Sequence, residues 1–166
     1  MTRKLAAKLR KIRLLILDVD GVLTDNVVMV GSDGSEYKNF HIQDGYGIDL
    51  LQKAGVKVAF LSGRYSKSTD FRAKELKVKH VYNGYPDKLK VYRRLKKKLN
   101  LKDFQIAFMG DDLPDLPVLN QAGVALTVKN AQPENKKAAD YVSHVAGGQG
   151  AVRKIANLIL RAKKLD

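Results

Sequence analysis

The chain contains no cysteine, which excludes disulfides and every metal site built on thiolates. Its histidines, His41, His80 and His144, are far apart and show no ligand spacing, so each reads as a surface or hydrogen-bonded residue. Long hydrophobic runs are missing as well, and no stretch approaches the length of a membrane span. The opening Met1-Thr2-Arg3-Lys4-Leu5 lacks the apolar core of a signal peptide, and a soluble, cytoplasmic protein is the expectation. Zinc-finger spacing, aromatic RNA-binding runs, internal repeats, low-complexity segments and interdomain linkers are absent too. Negative charge is scarce in relative terms: 17 acidic residues face 31 basic ones, a formal net charge of +14.

That balance suits nucleic acid, an acidic membrane or a small anionic substrate. The densest basic run is Lys88-Leu89-Lys90-Val91-Tyr92-Arg93-Arg94-Leu95-Lys96-Lys97-Lys98-Leu99. Its Leu89, Tyr92, Leu95 and Leu99 recur at helical spacing, which turns most of the charges to the opposite, wet face. A solvated helix face is the reading preferred over a nucleic-acid footprint. Neither nucleic acid nor a membrane is expected as a partner.

A length of 166 residues suits one domain with a real core. The pattern along it alternates. A short amphipathic helix over 3–12 leads into a strand at 13–18. Val27–Val30 and Glu36–His41, separated by Gly31-Ser32-Asp33-Gly34-Ser35, suggest a β-hairpin. A helix from Gly47 to Ala54 precedes a strand at Lys57–Leu61, then a helix at 66–77 and a strand at 80–82. Pro86 is expected in the first turn of the basic helix. A strand at 105–109, a short helix, a strand at 123–128, a helix near 133–139, a strand at 141–143 and a terminal helix over 150–163 complete the series. Alternation of this kind predicts an α/β fold, a Rossmann-like parallel sheet with helices on both faces. Ligands then bind beyond the carboxyl ends of the strands.

Three strand ends carry polar chemistry: Asp18 and Asp20, Ser62 and Gly63, and Asp111 and Asp112. Two acids that close could merely end a strand, but the downstream elements favour a shared site. Asp18, Asp20 and Asp111 offer hard oxygen ligands with no sulfur or imidazole nearby, which selects magnesium over zinc. Magnesium in turn points to a phosphorylated substrate. Ser62 and Gly63 suit phosphate oxygens before a helix N-terminus, and Lys88 could neutralise both phosphate and attacking carboxylate. Asp18 could attack phosphorus, and Asp20 could protonate the leaving oxygen and later activate water.

Asp18-Val19-Asp20-Gly21-Val22-Leu23-Thr24-Asp25, Ser62-Gly63-Arg64, Lys88 and Gly110-Asp111-Asp112-Leu113-Pro114-Asp115 resemble, in order, the four motifs of the haloacid dehalogenase superfamily of phosphatases. Phe40-His41-Ile42-Gln43-Asp44-Gly45-Tyr46-Gly47-Ile48, Asp87-Lys88 and Gly147-Gly148-Gln149-Gly150-Ala151-Val152-Arg153 resemble its 3-deoxy-D-manno-octulosonate 8-phosphate phosphatases. The resemblance implies Asp18 as nucleophile, Asp20 as general acid/base and Asp111 as magnesium ligand. Asp20 would reach the metal through its backbone carbonyl. Asp112 and Asp115 would support the metal from outside, and Ser62, Gly63 and Lys88 would hold phosphate. Arg64 and Arg72 match basic positions that face the substrate. Asn26 departs from a usual glycine, and Lys154 from a usual acid.

The bland readings concern Asp44 as a plain helix N-cap, Tyr37, Phe40 and Tyr46 as packing residues, and Gly147–Gly150 as a turn or a close approach to ligand. The insert over 25–45 has room for one hairpin flap and none for a cap domain. Its Val27–Val30 run could be buried against copies of itself, and the resemblance implies a homotetramer. The expected activity is magnesium-dependent hydrolysis of a phosphorylated sugar acid, the 8-phosphate of 3-deoxy-D-manno-octulosonate, in lipopolysaccharide precursor synthesis. The alternatives are a nine-carbon keto-deoxy sugar acid 9-phosphate and, in another class, a non-catalytic oligomerising module. The module reading predicts damaged motif acids, and here Asp18, Asp20, Lys88 and Asp111 are intact.

Overall fold

The computed structural model describes residues 1–165. Its strands in chain order are β1 (Leu14–Leu17), β2 (Met29–Val30), β3 (Glu36–Tyr37), β4 (Lys57–Ser62), β5 (His80–Asn83), β6 (Ile106–Met109), β7 (Val124–Thr127) and β8 (Tyr141–Val142). Its α-helices are α1 (Arg3–Arg10), α2 (Ile42–Lys53), α3 (Lys67–Glu75), α4 (Lys88–Lys98), α5 (Leu116–Leu119), α6 (Pro133–Ala138) and α7 (Ala151–Lys163).

Six strands form one sheet in the order β5-β4-β1-β6-β7-β8, and every neighbouring pair is parallel. Strand β1 lies inside it with all four residues buried. Leu15 and Leu17 join the core shared with α1, α2 and α7, while Leu14 and Ile16 join the core under α4 and α5. Helices on both faces explain why β1 is an unbroken apolar run rather than an alternating one. The chain runs outward from β1 through β4 to β5, then returns to β6 on the other side of β1. That reversal opens a crevice at the carboxyl end of β1.

The structure differs from the sequence pattern in four places. The hairpin strands are only two residues long, with Met29 opposite Tyr37 and Val30 opposite Glu36. Among the described residues no third strand joins this small sheet, and a lone two-stranded hairpin gains little by extending. Helix α2 begins at Ile42, ahead of the expected Gly47. Glycine argues against a helix by propensity, yet here packing requires it. A Cβ on Gly45 would crowd Arg72 and Leu76 of the α3 end, and one on Gly47 would crowd Arg153 and Ala156 of α7. Asp44 is buried and caps a different helix: its Oδ1 accepts the Arg153 N–H at 2.7 Å, at the N-terminus of α7. Pro86 precedes α4 instead of opening it, because Asp87 is the cap and accepts the Lys90 N–H at 3.0 Å.

Candidate active site

Asp18 extends the β1–β6 pairing by one step, its N–H donating to Met109 O at 2.9 Å. The chain then closes a tight loop in which the Leu23 and Thr24 N–H groups both donate to Val19 O, at 2.9 and 3.1 Å. The fully buried Thr24 hydroxyl accepts the Gly21 N–H at 3.3 Å. Gly21 sits at φ 88°, and a Cβ there would collide with the Asp111 carboxylate. Glycine is therefore required twice over, and the Asp20–Gly21 backbone lies directly against Asp111. From the other side, Gly147 packs on Gly21 and Gly148 on Thr24 and Asp25, so closely that side chains would clash. The close approach served by these glycines is to the Asp18–Asp25 loop. Asn26 adopts φ 67°, a left-handed conformation that asparagine tolerates better than most residues.

The three polar strand ends converge on one cleft of about 410 Å³, which includes Asp18, Asp20, Ser62, Gly63, Lys88 and Asp111 in its lining. Arg64, Asp112 and Asp115 line it as well. Lys88 is buried at its base, with Nζ 2.8 Å from Asp18 Oδ1 and 2.6 Å from Asp115 Oδ1. The second oxygen of Asp115 accepts the Asp111 and Asp112 N–H groups at 2.9 and 3.2 Å. Asp115 is thereby spent as a brace. Asp112 turns its side chain to the Leu113 N–H at 2.7 Å and closes its own turn.

Carboxylates outnumber ammonium groups here. Burial, then the charge of Asp115, push the Asp18 carboxyl well above its ordinary range, with Lys88 acting in the opposite sense. Burial and Asp115 likewise push Asp111 up to about 7. For Lys88, burial pulls the pKa down, but pairing with Asp18 and Asp115 overcomes it and the net shift is upward. The oxygens of Asp18, Asp111 and Asp115 lie within 4.8 Å of one another. Asp111 Oδ1 is buried with no hydrogen-bond partner among the described residues.

Asp20 faces away from that cluster. Its carboxylate lies 2.7 Å from Lys38 Nζ and 3.5 Å from Arg64 Nε. The Lys38 side chain is 0% exposed, and Arg64 in turn pairs with Glu36, which also accepts the Ser66 hydroxyl at 2.6 Å. Sequence reasoning missed Lys38 and Glu36. Their signal was the spacing Glu36-Tyr37-Lys38, which in a strand points both charges to one face. Ser62 donates its hydroxyl to Arg64 O at 2.8 Å. Arg72 does not reach the cleft. Its Nη1 is 2.8 Å from Glu75 Oε2, its Nη2 donates to His41 O at 3.4 Å, and its guanidinium lies over the Phe40 ring.

Comparison with known proteins adds to this geometry. The family model described as haloacid dehalogenase-like hydrolase matches residues 80–155. The 3-deoxy-D-manno-octulosonate 8-phosphate phosphatase KdsC of Salmonella typhi is 43% identical over 160 residues, 96% of this chain and 85% of that protein. The crystal structure of the phosphatase of that name from Yersinia pestis matches with a TM-score of 0.98 at 40% identity, over 99% of this chain and 89% of the other. That from Moraxella catarrhalis, in complex with magnesium ion, phosphate ion and KDO, matches with a TM-score of 0.96 at 38% identity, over 99% and 94%.

Proposed function

This chain belongs to the haloacid dehalogenase-like hydrolases and is a phosphatase of phosphate monoesters, and from that premise we propose that it hydrolyses 3-deoxy-D-manno-octulosonate 8-phosphate. The observation that carries the reading is the buried set of Asp18, Asp111, Asp115 and Lys88 at the floor of a cleft, in a chain 43% identical to an enzyme named for that substrate. We read the whole chain as one phosphatase domain with a hairpin insert, acting in the cytoplasm.

Asp18 attacks phosphorus, the bond from phosphorus to the sugar oxygen breaks, and Asp20 gives that oxygen its proton. Water, deprotonated by Asp20, then attacks the aspartyl-phosphate and releases phosphate. Lys88 holds Asp18 and draws the phosphoryl oxygens, helped by Ser62 and the Gly63 N–H. Arg64 and Lys38 hold the Asp20 carboxylate at the mouth of the cleft.

The donor set fits magnesium: only oxygens are offered, one of them the partnerless Asp111 Oδ1. Asp18, Asp111 and the Asp20 carbonyl would hold the ion, with Asp112 and Asp115 behind them. When bound, it supplies positive charge that lets a carboxylate approach a phosphate. Chelator is therefore expected to remove activity and magnesium to restore it, with calcium much poorer. A stability effect should accompany this. Asp111 is raised from 3.8 to about 7 on folding, so the metal-free fold takes up protons that the unfolded chain has released. Stability without metal should then fall as pH rises from about 4 to about 7, and magnesium should flatten that slope. Thermal melts in chelator that are independent of pH would contradict it.

The assembly we infer is a homotetramer formed through the hairpin. Val27, Met29, Val30 and Tyr37 are 58, 53, 72 and 58% exposed, an apolar patch left uncovered by the described residues. Because Val30 touches little in the monomer, Val30→Lys should spare folding yet dissociate the tetramer and reduce kcat/KM. Sedimentation equilibrium alongside phosphate release checks this; a wild-type monomer with full activity would remove the idea.

The substrate is tested by phosphate release from the eight-carbon 8-phosphate and the nine-carbon 9-phosphate. The expected result is a higher kcat/KM for the former. Preference for the latter would overturn the assignment and leave the phosphatase chemistry intact.

A further inference from the structure

The cleft uses acidic residues, yet the chain carries a net charge of +14, and the phosphatase chemistry leaves most of that positive excess unexplained. Along the sequence the cations are scattered, whereas the fold gathers many of them at the amino ends of the strands, opposite the cleft. Arg13 precedes β1 and lies beside Lys57 at the start of β4, the Lys57 N–H donating to Arg13 O at 2.9 Å. Lys57 and Lys79, just before β5, border one shallow depression together with His80. Arg10 and Lys163 interlock the ends of α1 and α7: Arg10 Nε donates to Ala162 O at 3.1 Å and Lys163 Nζ to Arg10 O at 2.9 Å.

Crowding of like charge is evident on this face. Burial, followed by the charges of Lys98, Lys57 and Lys79, pushes His80 down, and burial with Arg13 pushes Lys163 down. No salt bridge to a carboxylate is made by Arg10, Arg13, Lys57, Lys79, Lys98 or Lys163 among the described residues. Helix macrodipoles account for part of the pattern, since Arg10, Lys98 and Lys163 fall in last turns. They do not account for Arg13, Lys57 and Lys79, which sit at the starts of strands.

We propose that the amino-end face of the sheet is a docking surface for an anionic phospholipid bilayer, holding the enzyme at a membrane surface with its cleft turned outward. Charge complementarity supplies the attraction, and the face adds exposed apolar side chains for contact with the bilayer. Phe104, 54% exposed, stands with Lys11 over its ring just before β6, and Leu165, also 54% exposed, follows α7. Cations around a protruding Phe and Leu match what interfacial binding uses. Duplex nucleic acid fits less well, because it would answer the charge alone and leave the exposed Phe104 and Leu165 side chains without an apolar partner. The hairpin lies beside the cleft, so the proposed tetramer leaves this face free.

The test is co-sedimentation of the full chain with phosphatidylglycerol-containing and with neutral phosphatidylcholine vesicles at low and high salt. A Lys57→Gln/Lys79→Gln double variant is compared with Lys67→Gln/Lys90→Gln, which removes the same charge from the first turns of α3 and α4, at the opposite end of the sheet. Each basic residue near an anionic bilayer is worth roughly fivefold in partitioning, so the first variant should bind at least about tenfold more weakly. The Lys67→Gln/Lys90→Gln variant should bind like wild type, high salt should release the protein, and phosphate release should be unchanged in all. Wild type that stays in the supernatant with anionic vesicles at low salt would overturn the proposal. So would equal weakening by the two variants, or salt-sensitive binding to a duplex oligonucleotide in place of vesicles.

Discussion

Asp18→Asn is expected to lower phosphate release by roughly 10⁴- to 10⁶-fold, the scale seen when a covalent nucleophile is removed. An amide cannot attack phosphorus, and the neighbouring carboxylates have other tasks, Asp111 being the one whose open oxygen is offered to the ion. Asp115 is held by Lys88 and two backbone N–H groups, and Asp20 is held by Lys38 and Arg64. The same substitution should not harm the fold. Burial and Asp115 already push the Asp18 carboxyl far upward, so its charge is a cost to the metal-free protein. Melting in chelator should therefore be unchanged or higher at neutral pH. Asp20→Asn should behave differently, losing about 100- to 10,000-fold as expected of a general acid/base. Phosphate release and a thermal melt on purified, undeamidated protein separate these outcomes. Wild-type turnover by Asp18→Asn would remove Asp18 from the chemistry, and a large loss of stability would show that the effect was structural.

Lys88→Met is expected to cost both stability and activity. The ammonium is the sole cation within reach of Asp18 and Asp115 among the described residues, and all three groups are buried. Removing one partner of a buried ion pair typically costs about 3–5 kcal/mol, because the remaining charge stays uncompensated. For a chain of this size that is a fall in melting temperature of roughly 6–20 °C. The defect should shrink toward acid pH, where the Asp18 carboxyl, raised by burial and by the charge of Asp115, takes up a proton. It should also shrink in Lys88→Met/Asp115→Asn, and the recovery in that double variant measures the coupling. Activity should stay low in both, since the phosphate loses its buried cation. A Lys88→Met protein as stable as wild type at neutral pH would mean that the carboxylates are compensated by something else.

The motif acids were legible because they follow apolar strands, and strand order alone brings such ends together. Asp18, Ser62 and Asp111 illustrate it: each lies just past or at the end of a neighbouring parallel strand. Alternation also made the sheet and most helices legible. The elements that escaped are those where packing overrides local preference. Gly45 and Gly47 discourage a helix locally, yet α2 includes both because Arg72, Arg153 and Ala156 come so close. Asp44 looks like a local cap, and only the crossing of α2 and α7 reveals that it serves Arg153. Lys38 escaped for a related reason, since a hairpin lysine is ordinarily solvated and only the folded loop brings Asp20 to it. Arg72 illustrates the reverse: a basic residue matched by motif can be turned by a neighbouring glutamate and a ring toward another surface.

The most direct test of the account is to trap the covalent species on Asp18. Wild-type enzyme mixed with magnesium and 3-deoxy-D-manno-octulosonate 8-phosphate is quenched during turnover and reduced with borohydride, which converts an aspartyl-phosphate into homoserine. Peptide mass spectrometry is expected to find homoserine in place of Asp18 only when substrate is present, with Asp20 and Asp111 unmodified. Homoserine at another aspartate, or none at all in enzyme that is turning over, would contradict it.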